Sequence, residues 1–304
     1  MSRDRHVAVL MGGWSAEREV SLVSGQAAVE ALRERGYRVS AIDADRDLPA
    51  RLAELRPDVV YNALHGRYGE DGTVQGLLEI MGIPYTHSGV LASSLAMNKA
   101  MAKRLFASAG LRCPDGHLTT VDALRNGSPP MPPPYVVKPN QEGSSVGVKI
   151  VRDPTERAID RNQWPYGPDV LVERYIPGRE LTVGVLGDRP LAVTEICHRH
   201  SFFDYHAKYT ANEAQHLIPA PLAPDLYQQA LDQALAAHRL LGCRGVSRAD
   251  FRLDDRDPHG LYLLELNTQP GMTPISLVPE QAAYAGIGFA DLVEQLVLEA
   301  RCDT

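Results

Sequence analysis

The chain has 304 residues, 44% apolar and 23% charged, with a formal net charge of −7. This is an ordinary globular profile with room for about two or three domains, and the acidity argues against a general nucleic-acid binder. No apolar run approaches the roughly 20 residues that span a bilayer, the opening MSRDRHVAVLMGG has no signal-peptide apolar region, and the scattered Cys113, Cys197, Cys243 and Cys302 form no C-x-x-C pair; the expectation is a cytoplasmic protein with no disulfide frame, zinc site, membrane partner or nucleic-acid partner.

Residues 6 to 95 alternate strand and helix patterns. HVAVLMGG reads as a strand entering a Gly-Gly turn, and VSLVSGQAAVEALRERG as a helix closed by Gly36. YRVSAID is a strand, PARLAELR a short helix and PDVVYNAL another strand. TVQGLLEIMG follows as a helix and IPYTHSG as a strand. This rhythm predicts a parallel sheet with helices on its faces and function in the loops at the strand C-termini. NKAMAKRLFASAG is a helix and PPMPPP a stiff connector. YVVKPN, VGVKIV, DVLVERYI and ELTVGVLG are strands of a mostly antiparallel region. A long polar, aromatic loop follows, HRHSFFDYHAKYTANEAQH, then a helix over PDLYQQALDQALAAHRLLG, a hairpin, and a last helix, FADLVEQLVLEA. A loop of that length in a compact domain is often a lid. Its His198, His200 and His206 have no cysteine or carboxylate at zinc-ligand spacing.

The hairpin strands are GVSRADFRL and LYLLELN, joined by DRDPHG. If the loop runs from Asp255 to Gly260, Asp250 stands opposite Glu265 and Arg248 opposite Asn267. Period-two alternation puts these four on one face and Phe251, Leu253, Leu264 and Leu266 on the other. Two carboxylates and an amide oxygen on a rigid sheet suit a hard divalent cation such as Mg²⁺, which completes its shell with water and phosphate oxygens. A surface salt-bridge ladder is the plainer alternative. The apolar density of the strands and the following Pro270-Gly271 turn favour a site. The Gly271 N–H can approach a ligand closely, and with Arg248 it could stabilise an oxyanion.

Anion ligands are expected nearby. In KPNQEGSSVGVKI, Gly143, Ser144, Ser145 and Gly147 could wrap phosphate oxygens, although the stretch lacks the P-loop pattern. Lys138 ends an apolar strand, so it reaches either water or a fixed anion. Lys99 opens a helix and is weaker evidence. ERYIPGRE reads as an edge or hinge whose backbone could pair with a base and whose glutamates could accept from ribose hydroxyls.

Taken with GGWSAEREVSL (12–22), ALHGRYGEDGTVQGLLE (63–79), MNK (97–99), VVKPNQEGSSVG (136–147), DYHAKY (204–209), SRADF (247–251) and ELNTQPGMTPISLVP (265–279), the chain resembles the ATP-grasp ligases, specifically the D-alanine–D-alanine ligases of bacterial cell-wall synthesis. The resemblance implies an α/β chain with the ATP-grasp fold. An N-terminal parallel α/β (Rossmann-like) domain over 1–98 is followed by two α+β subdomains, 99–178 and 179–304, that clamp ATP. The implied reaction phosphorylates one D-alanine carboxylate and couples the acyl phosphate to the amine of a second D-alanine, with ATP as substrate and two Mg²⁺ (or Mn²⁺) as cofactors, in a homodimer.

By the same resemblance, Glu17 holds the ammonium of the first D-alanine, His65 lines its site, and Ser144 and Tyr209 join Glu17 in a closing network. Lys99 and Lys138 neutralise ATP phosphates with the Ser145 loop, and Lys208 reaches the transferred phosphate. Glu173 and Glu180 bind adenosine, with the backbone of Arg174 and Ile176 near the adenine. Asp250, Glu265 and Asn267 hold the metal ions, Arg248 and Gly271 the oxyanion, and Ser276 and Leu277 the second carboxylate. The Lys208-Tyr209 pair favours an amine as nucleophile, since relatives making D-alanyl-D-lactate depart there. The chain differs from the family pattern at Trp14, at Asn140-Gln141, which leaves the phosphate loop less positive, and at Gln269. A related ligase using D-serine or D-lactate is the nearest alternative. A nicotinamide oxidoreductase is disfavoured because Gly12-Gly13-Trp14-Ser15 replaces G-x-G-x-x-G. A non-catalytic nucleotide-binding scaffold is disfavoured because the metal ligands and Lys138 are intact.

Overall fold

The computed structural model describes residues 4–127, 129–143, 146–159, 164–198, 214–257 and 259–303, and among these the strands form three sheets. The first has the order β2-β1-β3 and is parallel. Strand β1 (His6–Gly12) is buried along its whole length and takes the centre. Helix α1 (Arg18–Glu34) leads to the edge strand β2 (Arg38–Ala44), and α2 (Leu48–Leu55) leads to β3 (Val59–Asn62). Helix α3 (Thr73–Met81) follows. The expected strand over IPYTHSG reduces to one bridge, Tyr85 beside Val60. Pro84 has no N–H to donate, and His87, at φ +69°, turns the chain out of the sheet.

Helices α4 (Val90–Met97) and α5 (Lys99–Ser108) meet at Asn98, whose side chain accepts the Met101 N–H at 3.1 Å and caps α5. The sequence reading missed α4, because VLASSLAM is apolar or small all round and carries little periodic signal. Strand β4 (Gly116–Thr120) and helix α6 (Val121–Arg125), capped by Thr120, were also missed, both being short. They join β5 (Tyr135–Pro139), β6 (Lys149–Val151) and β7 (Asp169–Arg174) in an antiparallel unit of order β4-β7-β5-β6.

The third sheet is antiparallel with order β10-β9-β8-β11-β12. It comprises β8 (Arg179–Leu186), β9 (Arg189–His198), β10 (Ala214–Leu217), β11 (Val246–Leu253) and β12 (Leu261–Asn267). Helix α7 (Pro224–Leu240) lies on it through the buried Ala230, Ala234 and Ala237. Helices α8 (Leu277–Tyr284) and α9 (Phe289–Glu299) close the chain. One apolar cluster runs from Val7 and Val9 of β1 through Leu32 of α1 to Val278, Leu292 and Leu296, so the last two helices fasten the first sheet to the third. A second cluster sets Ala102 and Phe106 of α5 against Phe251, Leu263 and Leu266. The β11–β12 hairpin therefore has a fixed helix, α5, beside it and the loops of the first sheet opposite.

Candidate active site

Within the hairpin, Asp250 pairs with Glu265 and Arg248 with Asn267, the expected register. It is reached by a different route. The last pair is Leu253–Leu261, one residue further back than expected, and a bulge after Asp250 restores the register. Leu263, not Leu264, therefore faces Phe251 in the core, and Leu264 is only half-buried. Arg248 donates to both Asp250 oxygens, at 2.8 and 2.6 Å, and Thr182 donates to Oδ1 at 2.7 Å. Glu265 lies 3.6 Å from the Lys99 ammonium, the cationic partner that an inward acid needs. Asn267 Oδ1 accepts the Gln269 N–H at 2.7 Å, which fixes its amide.

Two half-exposed carboxylates and an oriented amide oxygen fit a hard cation that leaves several positions to water and phosphate. No group of three or more His, Cys, Asp or Glu able to hold a metal occurs among the described residues. The trio supplies only part of a coordination shell, and a cation on Asp250 has to share its oxygens with Arg248.

Facing the hairpin is a wall built by the loops after β1 and β3. Glu17 and His65 are both nearly buried there. Ser15 Oγ accepts the Glu17 N–H at 3.1 Å and donates to the His65 carbonyl at 2.7 Å. The His65 ring lies 3.2 Å from Ser24 Oγ and 3.2 Å from the Gln269 carbonyl, with Glu70 at 3.6 Å. Burial pulls the imidazole down, but Glu70, and then Glu17, more than offset it and leave His65 above its ordinary value. A Cβ on Gly66 (φ +64°) or on Gly143 would come within 3.1 Å of Glu17 Oε2, so both loops approach this carboxylate at a distance that suits glycine. Glu17, His65, Glu70, Lys99, Arg248, Glu265, Asn267 and Gly271 line one open cleft with a cavity volume of about 70 Å³.

Behind it lies a buried charge cluster. Lys138 turns inward to a fixed anion, Glu173 Oε1, at 2.5 Å, and Lys103 pairs with Oε2. Burial pushes the Glu173 carboxyl up, and the two ammoniums more than reverse this, so it stays below the usual carboxylate range. Lys138 is depressed by burial but raised further by Glu173 and then by Glu265, which ties the cluster to the hairpin.

The sequence is similar to known proteins over the whole chain. Family profiles described as D-ala D-ala ligase N-terminus and C-terminus match residues 50–88 and 115–298. The D-alanine–D-alanine ligase of Parvibaculum lavamentivorans is 56% identical over 100% of both chains. The chain belongs to the D-alanine–D-alanine ligase family. The ligase of Paramagnetospirillum magneticum is likewise 56% identical, over 98% of this chain and 99% of its own. Among solved structures, the Bacillus anthracis D-alanine–D-alanine ligase complexed with ATP is 33% identical, with a TM-score of 0.78 over 98% of this chain and 97% of that one. The fold is thus ATP-grasp.

Not every expected residue of the family site lines the cleft. Ser276 and Leu277 open α8 beside Gly271, where a Cβ on Gly271 would stand 3.0 Å from Ser276 Oγ. Glu180 lies on β8, 3.5 Å from the Arg252 guanidinium. The Arg174 N–H donates to the Asp115 carbonyl, and the Ile176 carbonyl accepts from Arg252. Ser144, Ser145, Lys208, Tyr209 and the lid expected around them lie outside the described residues. Asn140 has a structural task at its variant position: its Oδ1 accepts the Ala100 N–H at 2.9 Å and its Nδ2 donates to Asn98. Gln269 clamps the two walls by donating to the Asn62 carbonyl. Sequence reasoning missed Glu70, Thr182 and Lys103. Only Lys103 left a signal, standing four residues after Lys99 and so on the same helix face.

Proposed function

We propose that this protein joins two D-alanines to D-alanyl-D-alanine at the expense of ATP, supplying a peptidoglycan precursor in the cytoplasm. The observation that carries the reading is the pairing of Asp250 with Glu265 and of Arg248 with Asn267 on one hairpin face, across a cleft from Glu17 and His65. The near-buried Glu17 receives the ammonium of the first D-alanine, which sets its carboxylate toward the hairpin. Lys99 and Lys138 neutralise the phosphates, while Glu173, Glu180 and the chain at Arg174 and Ile176 hold the adenosine. Asp250, Glu265 and Asn267 would hold two Mg²⁺ (or Mn²⁺), which when bound would offset phosphate charge.

Transfer of the γ-phosphoryl group to the first carboxylate gives an acyl phosphate. The amine of the second D-alanine, whose carboxylate rests on Ser276 and Leu277 at the start of α8, attacks its carbonyl carbon. Arg248 and the Gly271 N–H donate to the developing oxyanion. The C–O bond to phosphate then breaks, and the ammonium proton lost by the nucleophile leaves through the Glu17, Ser144 and Tyr209 network. Lys208 meets the departing phosphate, with the Ser145 loop excluding water. Two subdomains meeting near residue 178 clamp the nucleotide, the first domain ends near 98, and two copies of the chain form the working enzyme.

A coupled assay of ADP release tests this. ADP should appear with Mg²⁺ and D-alanine and stay at background with L-alanine; D-serine and D-lactate should each be poor second substrates. Equal turnover with every acceptor, or none with D-alanine, defeats the reading.

A further inference from the structure

Glu173 has two cationic partners where one would neutralise it. Lys138 reaches Oε1 from the neighbouring strand β5, and Lys103 reaches Oε2 from α5. All three residues are under 9% exposed, so water screens them little. A buried cluster carrying a surplus positive charge is a poor device for stability, because each desolvated ion must be matched by an opposite one. It is a good device for a site that awaits an anion.

We propose that Lys103 is a positioning residue that keeps Glu173 charged and fixed, so that Lys138 is free to turn to the phosphates of ATP. The inference rests on the reading of Lys138 as a phosphate ligand. Were Lys138 the sole partner, nucleotide would have to strip it from a carboxylate 2.5 Å away and leave that acid buried alone. With Lys103 on the other oxygen, Lys138 is the surplus cation. The charges run the same way. Lys103 sits below the ordinary lysine value because of burial, with the Lys138 charge adding to the depression and Glu173 opposing it. Moving Lys138 onto phosphate removes that repulsion and tightens the Lys103–Glu173 pair. The two lysines of α5 thus divide the work: Lys99 faces Glu265 in the cleft, and Lys103 supports Glu173 behind it.

The test is calorimetric titration of the full chain with Mg²⁺ and a non-hydrolysable ATP analogue, alongside steady-state kinetics. In Lys103→Met the analogue should bind at least tenfold more weakly. The KM for ATP should rise in parallel, while kcat and the KM for D-alanine stay within twofold. Lys103→Arg should recover most of the affinity. Because Lys103 acts through the Glu173 charge, adding Lys103→Met to Glu173→Gln should change affinity less than twofold. Unchanged affinity in a folded Lys103→Met protein overturns the proposal, as does an equal tenfold loss in the Glu173→Gln background. If Lys103→Met alone does not fold, Glu173→Gln and the charge-balanced double variant decide it by the same criterion. Lys138→Met separates the two levels: a loss there with Lys103→Met silent sinks only the role of Lys103, whereas no loss there removes Lys138 from the phosphates and the proposal with it.

Discussion

The carboxylates of Glu265 on the hairpin and of Glu173 on β7 both lie within electrostatic reach of Lys138, yet the hairpin acids and Glu173 are held in different ways. Asp250 and Glu265 remain partly exposed, and among the described residues the Lys99 ammonium stands 3.6 Å from Glu265. Glu173 is 3% exposed and is gripped on both oxygens. Groups that must exchange ligands during a reaction have to be reachable, whereas a carboxylate matched by two ammoniums can be enclosed. Substitutions at the two places should therefore fail differently.

The largest effect is expected from Glu265→Ala. It removes a cleft carboxylate, and the buried Lys99 keeps the Glu142 carbonyl as a partner, so the loss should fall on the rate more than on stability. Turnover should fall by on the order of 10³-fold or more, while the urea midpoint stays near that of the parent. A variant that unfolds, or one that keeps its rate, would make the hairpin structural and end the contrast.

Glu173→Ala should show the reverse. Two enclosed ammoniums lose their counter-ion, and breaking a buried pair by removing one partner costs about 3–5 kcal/mol. Urea denaturation at pH 7 reads this directly. Because the folded Glu173 carboxyl is held below its ordinary value, its contribution is complete above pH about 4.5 and is lost as the pH falls through the folded value. The gap between parent and variant should therefore narrow in acid. A gap that widens there would mean that Glu173 is not ionised in its cluster.

The two places also differ in how well the sequence announces them. The hairpin chemistry can be read because alternation along LYLLELN puts Glu265 and Asn267 on one face, and a turn of almost the right length supplies Asp250 and Arg248. The reading succeeds although two details are off by one, the loop and the bulge, since they compensate. That Lys138 meets either water or a fixed anion can be read from the apolar strand it ends, but not which of the two. Its partner cannot, because Glu173 comes from another strand and Lys103 from a helix 70 residues before it, and no periodicity links them. The same holds for the Asn62–Gln269 clamp, which joins residues 207 apart. Local patterns specify elements and faces. Which faces meet is decided by packing such as that of α5 against Phe251 and Leu263.

His87 provides a third case that sharpens the contrast: a buried group with no opposite charge. It is 1% exposed, its Nδ1 is 2.8 Å from Thr86 Oγ1, its ring meets Tyr61 edge-on at 5.6 Å, and its Nε2 has no hydrogen-bond partner among the described residues. Burial pushes its pKa down to about 3, with the His65 and Arg244 charges helping. The folded imidazole therefore stays neutral where an unfolded one protonates. Its contribution is complete above pH about 6.5 and declines below that by up to about 1.4 kcal/mol per pH unit, until the folded group itself titrates. His238, pushed down to about 4 by burial, adds a slope of the same sign over a shorter window. Asn tolerates the left-handed backbone that His87 occupies at φ +69°. His87→Asn should thus cost about 1 kcal/mol at pH 7 through the lost ring contact, and become less harmful, or even stabilising, by pH 4.5. Urea curves at the two pH values measure the difference. Equal acid sensitivity in parent and variant would mean that His87 shares its proton with a partner after all, and that burial alone does not keep it neutral.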